Sequence, residues 1–370
     1  MLDNNKKKII YLISSIHPSG PTTVLYNLIN NLDKNIYDVF IFILSKKVNS
    51  TDNMFRGIVN QIYYFPINKL HHLKKRLRAI SPNIVHSQAL RADLIHSLIA
   101  NKAFRSFATI HSYYPLDYSL NLFGKTIGTL ISYIHIKSLR RISNLVSCSH
   151  ALSIQYNKKY NLNMKYVLNG IKSNHYLMRQ QKINRESLLI KYGIPTNVKL
   201  WVTNSRPVKG KDIITTINGF LHFNNLDINN KYYLLIVGEC SKDALNLSRN
   251  SHEIVLIGNM PSASFINLLN LSELYISSSL TEGCPLAVLE AINMGNNILL
   301  SNIVAHLEIK RNHSITETFE VHNSTDLCRK MIEISKENKL PKLNFPECYT
   351  DFKMAEQYHN LYAQTKNTID

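Results

Sequence analysis

The first 175 residues contain no glutamate. They hold 23 Lys and Arg against six Asp (Asp3, Asp33, Asp38, Asp52, Asp93 and Asp117), a balance of +17 in a chain of 370 residues whose total is +18. The positive excess is therefore confined to the first half, where it favours an anionic partner. No basic tract interleaved with aromatics and no zinc module accompanies it, so nucleic acid is not the expected partner. The five cysteines (Cys148, Cys240, Cys284, Cys328 and Cys348) are scattered and form no CxxC pair. That spacing excludes a disulfide scaffold and a cysteine zinc knuckle, and fits a reducing compartment. No run of about eighteen uninterrupted apolar residues is present, as a bilayer-crossing helix would need. DxD, P-loop, GxSxG and HExxH motifs are also absent. A phosphate leaving group would then be neutralised by cations and helix amides, and no metal or other cofactor is expected.

What is present reads as a folded chain, with 45% hydrophobic and 18% charged residues. Its length exceeds what one core usually organises, so two domains are expected. In the second half, KLWVTNSR, YYLLIVGE, EIVLIGNM, ELYISSSL and NILLSNI are short β-branched runs. They alternate with segments of helical period such as KDIITTINGFLHF and PLAVLEAINMG. The first half repeats the theme with KKIIYLIS, YDVFIFILS, IVHSQ, FATIHS and LVSCSH. Regular strand–helix alternation predicts two doubly wound α/β, Rossmann-like domains. The expected division is 1–170, 171–345 and a final helix, 346–370, packing back on the first domain. The boundary falls where VLNG ends a strand, before the polar stretch KSNHYLMRQQKINRES. The opening segment KKKIIYLISSIHPSG has a short apolar run broken by serines and no small-residue cleavage site, so it reads as a buried strand and not a leader. A cytoplasmic protein is expected.

Three constellations follow strands, where open α/β sheets bind ligands. In SSSLTEGCPLAVLEAINMG, a Ser/Thr loop leads through Glu282, Gly283, Cys284 and Pro285 into a helix, with Pro285 expected in its first turn. Free amides and the dipole at that helix start suit a diphosphate. Glu290, in an otherwise apolar run, is a carboxylate that could accept both hydroxyls of a ribose. In WVTNSRPVKGKD, Arg206, Lys209 and Lys211 follow a strand closely enough to neutralise phosphates. In ISSIHPSGPTTVLYNLINNL, a Ser/Gly/Pro loop containing Gly20 enters a helix, with Thr22 or Thr23 as the expected N-cap. His111 also follows a strand, in ATIHSYYPLDY, and His86, in IVHSQALRAD, shares that position at lower rank. Two cationic helical segments stand out as well. NKLHHLKKRLRAI places Leu70, Leu73, Leu77 and Ile80 on one stripe with Lys and Arg around it, which suits either an ordinary surface helix or one facing an anionic membrane. Lys125 to Arg141 is apolar with cations at its end, where they also suit a helix C-terminus.

These residues resemble the retaining glycosyltransferases of family four, which have the two-Rossmann-domain GT-B architecture. EGCPLAVLEAINMGNNILLSNIVAHLEI is similar to the family's "EGxPxxxLEAxxxGxPVxxSxxxxxxEI", with its two glutamates at Glu282 and Glu290. NSRPVKGKDIITTINGF resembles its "RxxxKG" region, KYVLNGIKSNHY its "IxNGID" segment, SPNIVHSQALRADLIHSLIA its "PDIVHSH" strand and helix, and PSGPTTVLYNLIN its N-terminal glycine loop. The resemblance implies two domains facing across a cleft. It also implies transfer of a sugar from a nucleotide-diphosphate donor, a UDP-sugar by likeness, with retention of configuration. The acceptor would be a glycan or a lipid-linked glycan in bacterial surface-polysaccharide or lipopolysaccharide synthesis. By the same likeness Arg206 and Lys209 would hold the diphosphate, with Lys211 an equal candidate for the lysine. Glu290 would hold the ribose, and Glu282 with the backbone of Gly283 to Leu286 the donor sugar. Gly20 would approach the phosphates, and His111 would touch the transferred sugar. Departures are Pro21 after Gly20, a three-residue Arg–Lys interval, NGIK for NGID, and NNILL for Gly-x-Pro-Val. The basic first domain would hold the protein at the inner face of the membrane. An epimerase or inverting transferase of the same fold, or a catalytically dead protein binding anionic ligands or membranes, are the other readings.

Overall fold

The computed structural model describes residues 6–46, 50–66, 69–173, 185–226, 231–314, 316–336 and 344–364. The chain divides into two compact units. One takes in the described residues through Ser119, Lys125–Lys172 and those from Glu347 onward; the other comprises Leu120–Gly124 and Ser173–Pro346. Most of the polar stretch after Lys172 lies outside the described residues.

The first unit is built on a seven-stranded parallel sheet, β1 (Lys7–Ile13), β2 (Tyr37–Ile43), β3 (Gln61–Tyr64), β4 (Ile84–Gln88), β5 (Arg105–Ile110), β6 (Asn144–Ser147) and β7 (Lys165–Tyr166), in the order β3-β2-β1-β4-β5-β6-β7. β1 lies in the middle, pairing with β2 and β4 (Tyr11↔His86). Its run from Ile9 to Ile13 is buried because helices cover both faces of a parallel sheet. The chain reverses its order at β1/β4. The last strand is shorter than VLNG suggested: it ends at Tyr166, and Val167 and Asn169 continue only as single hydrogen bonds to Ser147 and Cys148 carbonyls. The helix Gly20–Asn30 is capped by Ser19, whose hydroxyl accepts from the Thr22 amide. Thr22 and Thr23 are inside the first turn, a correction to the expected cap. The physical reason is that Gly20-Pro21 can already open the helix.

The helix Asp351–Ala363 belongs to this unit. Tyr358 and Tyr362 are buried, and the Tyr362 hydroxyl meets His86 Nδ1 at 2.6 Å and the Tyr11 hydroxyl at 3.1 Å. His86 is fully buried, its Nε2 2.8 Å from Thr109 Oγ1, and burial pushes its pKa down to about 3. It is a neutral core histidine tying β4 to β5 and the last helix.

The second unit has a six-stranded parallel sheet, β8 (Lys199–Ser205), β9 (Tyr232–Gly238), β10 (Ile254–Gly258), β11 (Leu274–Ser277), β12 (Asn297–Ser301) and β13 (Thr316–Phe319), ordered β10-β9-β8-β11-β12-β13. Its core centres on Trp201, whose ring lies 4.6 Å from both Phe223 and Tyr232. Each fully buried aromatic there contributes roughly 2–3 kcal/mol. The order reverses between β8 and β11, which places a crevice beyond the carboxyl ends of those two neighbouring strands.

Candidate active site

Two loops leave the second sheet at its reversal point. One, Arg206 to Asp212, follows β8 and enters the helix Ile213–Asn224. The other, Ser278 to Pro285, follows β11 and enters the helix Leu286–Met294. They are fastened together. The Leu280 amide donates to the Gly210 carbonyl at 2.8 Å, and Ser278 Oγ lies 3.1 Å from the Lys211 carbonyl and 2.8 Å from that of Asp212. At the neighbouring exit of β9, Gly238 has φ +100°, and a Cβ there would lie 2.1 Å from the Ser205 carbonyl oxygen. Only glycine lets these strand ends close up.

Lys211 Nζ donates to Glu282 Oε1 at 2.6 Å, and Ser279 Oγ donates to the same oxygen at 2.8 Å. Both charged side chains are largely withdrawn from water, at 12% and 15% exposure. Burial pushes the Glu282 carboxyl up, but the ammonium and the serine outweigh it and hold the pKa below the usual carboxylate value. Arg206 and Lys209 are exposed; their carbonyls accept from the Val208 and Asp212 amides, while their side chains make no ion pair or hydrogen bond among the described residues. Pro285 is the N-cap of its helix, one place before the first turn in which it was expected, and no side chain caps the helix start. Pro285 thus offers its leading amides no side-chain acceptor. Glu290 lies one turn in and is half-buried. Burial alone raises its pKa to about 7, with no basic neighbour offsetting it. Tyr275 OH, donating to Asn204 Oδ1, lies within electrostatic reach of both glutamates.

Behind the loop runs a hydrogen-bond chain that sequence reasoning missed. Ser301 Oγ donates to the Ser279 carbonyl at 2.5 Å, and His306 Nδ1 lies 2.9 Å from the Ser301 carbonyl. That contact assigns the proton to Nδ1. Nε2 is then a buried acceptor with no hydrogen-bond partner among the described residues. Burial lowers the His306 pKa to about 4, so the ring is neutral, and it interacts electrostatically with Glu282. Nothing in SNIVAHLEI marks this histidine; only the fold brings the end of β12 beside the loop after β11.

Residues 184–343 match the family described as "Glycosyl transferases group 1", and residues 18–174 match "Glycosyltransferase Family 4". The chain is a glycosyltransferase. An O-antigen biosynthesis glycosyltransferase, WclY of Escherichia coli, is 27% identical over 96% of this chain and 98% of its own. Among solved structures, Alr3699/HepE of Anabaena in complex with UDP-glucose is similar with a TM-score of 0.76, at 13% identity over 96% of this chain and 98% of that one. A glycosyltransferase from Rickettsia africae is similar with a TM-score of 0.72, at 16% identity over 97% and 98%. These likenesses establish the GT-B fold.

In this glycosyltransferase, Arg206, Lys209, Lys211, Gly283, Cys284, Pro285, Leu286, Glu282 and Glu290 all sit on the two fastened loops or the helix they feed. Gly283, Cys284 and Pro285 are buried, and Leu286 is half-buried. Gly20 and His111 are in the other unit. Gly20 is exposed at the start of its helix after β1. His111 follows β5, its Nε2 3.2 Å from Gln88 Oε1, and burial lowers its pKa to about 4. The next residue after Gln88, Ala89, has φ 72° and ψ 158°, a conformation nearly confined to glycine. Backbone strain of about 1–3 kcal/mol is therefore held at the reversal point of the first sheet, one residue from the partner of His111. No helix among the described residues is long and apolar enough to cross a membrane.

Proposed function

We propose that the enzyme transfers a sugar from a nucleoside-diphosphate donor, with a UDP-sugar as the leading candidate, to a glycan or lipid-linked acceptor of O-antigen-type polysaccharide synthesis. The observation that carries this reading is the buried Lys211–Glu282 pair at the sheet's reversal point, on loops that lead into a helix start without an N-cap side-chain bond and on to Glu290. Arg206 and Lys209 project from the same loop without carboxylate partners, which leaves them available to the departing diphosphate. Lys211 positions Glu282 and adds its charge behind it. The helix amides complete the positive surround, which strengthens as negative charge develops on the leaving group. Glu290 takes the ribose hydroxyls, Glu282 and the backbone from Gly283 to Leu286 orient the sugar, and His306 Nε2 accepts one of its hydroxyls.

The WclY likeness supports the O-antigen assignment, and HepE's UDP-glucose complex supports the donor class. Retention rests on the EGCPLAVLE resemblance. It would proceed by front-face attack, with the leaving phosphate oxygen taking the proton of the incoming hydroxyl. No metal is required in this scheme, because the cations and amides supply the charge that a divalent ion would bring. Purified enzyme should release nucleoside diphosphate from one member of a panel of nucleotide sugars, at a rate unchanged by a chelator. The product's anomeric configuration, read by NMR, should match the donor's. No turnover with any donor would overturn the enzyme reading, and an inverted product the retaining one.

A further inference from the structure

The helix Lys125–Leu139 of the first unit has a mixed, buried inner side and an exposed outer side rich in apolar side chains. Its inner side buries Gly128, Ser132, His135, Ile136 and Leu139. That side is fixed: His135 Nε2 lies 2.9 Å from Asp93 Oδ2 with both side chains fully buried, and Tyr118 OH lies 2.8 Å from His135 Nδ1. A Cβ on Gly128 would stand 2.7 Å from the Ser119 amide, so the helix is held close to the segment before it. The outward direction is therefore built in. Facing outward are Ile127, Leu130 and Ile134, one stripe at helical spacing, with Tyr133 beside them; Leu130 and Tyr133 are 60% and 65% exposed. Ile154, on the neighbouring helix His150–Tyr160, is 50% exposed. A solvated helix face carries charges at such positions, and a contiguous apolar one marks an interaction surface.

Between these two helices and the segment Tyr113–Leu116 runs a groove of about 730 Å³. Its walls include Tyr113, Leu116, Tyr133 and Ile136, and Lys137, Arg140 and Lys159 line it as well. The cationic end is structured. Arg140 Nη2 donates to the Tyr160 carbonyl at 2.7 Å, the Tyr113 and Tyr160 hydroxyls are 3.2 Å apart, and Lys159 Nζ lies 5.6 Å from each of their ring centroids. Neither helix contains an Asp or Glu. An apolar trough with three cations and no carboxylate matches a ligand with a hydrocarbon body and a phosphate head. A second copy of the chain is the wrong occupant, because a two-fold contact would set this cationic face against itself.

We propose that this face docks on an anionic lipid bilayer, with the Ile127–Leu130–Ile134 stripe and Tyr133 entering the headgroup boundary and the groove receiving one lipid's phosphate and upper chain. The site moves the membrane contact away from the helix Leu70–Ile80, whose Leu73, Leu77 and Ile80 are buried in the core and whose outer face carries His71, His72, Lys74, Lys75, Arg76 and Arg78 but no large exposed apolar side chain. The inference stands on this surface alone and does not depend on the donor chemistry.

The test is co-sedimentation of the full chain with vesicles of phosphatidylglycerol and phosphatidylcholine in about equal parts, against phosphatidylcholine alone. The wild type should sediment with the anionic vesicles and stay in solution with the neutral ones. Leu130→Glu with Tyr133→Ser, both at exposed positions, should weaken vesicle binding at least ~tenfold, and Lys137→Ala with Arg140→Ala should do the same. Lys74→Ala with Lys75→Ala should cost much less. Circular dichroism checks the fold, and Ile127→Ser replaces the first pair should it misfold. Wild-type binding by the stripe variants, or no binding by the wild type, would overturn the proposal. A lipid-free dimer that Leu130→Glu converts to monomer would also overturn it, assigning the face to a second copy.

Discussion

Glu290 shows why a site residue can be costly to the fold that carries it. Its folded pKa of about 7 lies above the ordinary value of 4.5, so the folded state binds the extra proton. The sign follows from linkage. The group does no harm below the unfolded value, and stability is lost as pH rises from there through about 7. Glu290→Gln should therefore raise the melting temperature at pH 8, by an amount equivalent to roughly 1–3 kcal/mol, and leave it nearly unchanged at pH 4. The same variant should lose at least ~tenfold in donor turnover, about 1.4 kcal/mol of transition-state stabilisation. Ribose hydroxyls donate best to an ionised carboxylate, so the wild-type KM for donor should rise as pH falls below about 7, and the Gln variant should lack that rise. Lys211 behaves oppositely. Lys211→Met strands the largely buried Glu282 and should destabilise the second unit by about 3 kcal/mol in chemical denaturation. Lys209→Ala, at an exposed position, should stay within about 0.5 kcal/mol of the wild type.

Among the elements, the long apolar runs were legible because burial on both faces leaves few polar interruptions in strands such as β1 and β9. The strands that escaped are edge or near-edge pieces, β3 (QIYY) and β13 (TETF), where polar residues reach solvent and the apolar signal is lost. The loops after β8 and β11 were legible as cationic and anion-binding turns, because strand–loop–helix punctuation is local. Their fastening through Ser278, and the chain from Ser279 to His306, were not, because those contacts join segments remote in sequence. The Asp93–His135 pair is of the same kind. Ala89 was illegible for a different reason: nothing in SQALRA declares a glycine-like conformation. Ala89→Gly should relax it and stabilise the first unit by about 1 kcal/mol, roughly 2–4 °C in melting temperature. A loss of stability would show that the strain at this turn is not real.

Across the whole molecule, charge and chemistry are divided between the units. The first carries nearly all the net positive charge and receives the last helix; the second carries the fastened loops. Tyr362→Phe should leave His86 Nδ1 without its hydroxyl partner and cost the first unit about 1–3 kcal/mol, seen in calorimetry as a shift of one transition only. The measurement that bears most directly on the central claim, that positive groups at the second sheet's reversal point hold the donor's diphosphate, is titration calorimetry of uridine diphosphate into wild-type enzyme and Arg206→Ala. Saturable one-to-one binding by the wild type, weakened at least ~tenfold by the substitution without loss of fold, is the predicted result. Equal affinity in the two proteins would contradict it.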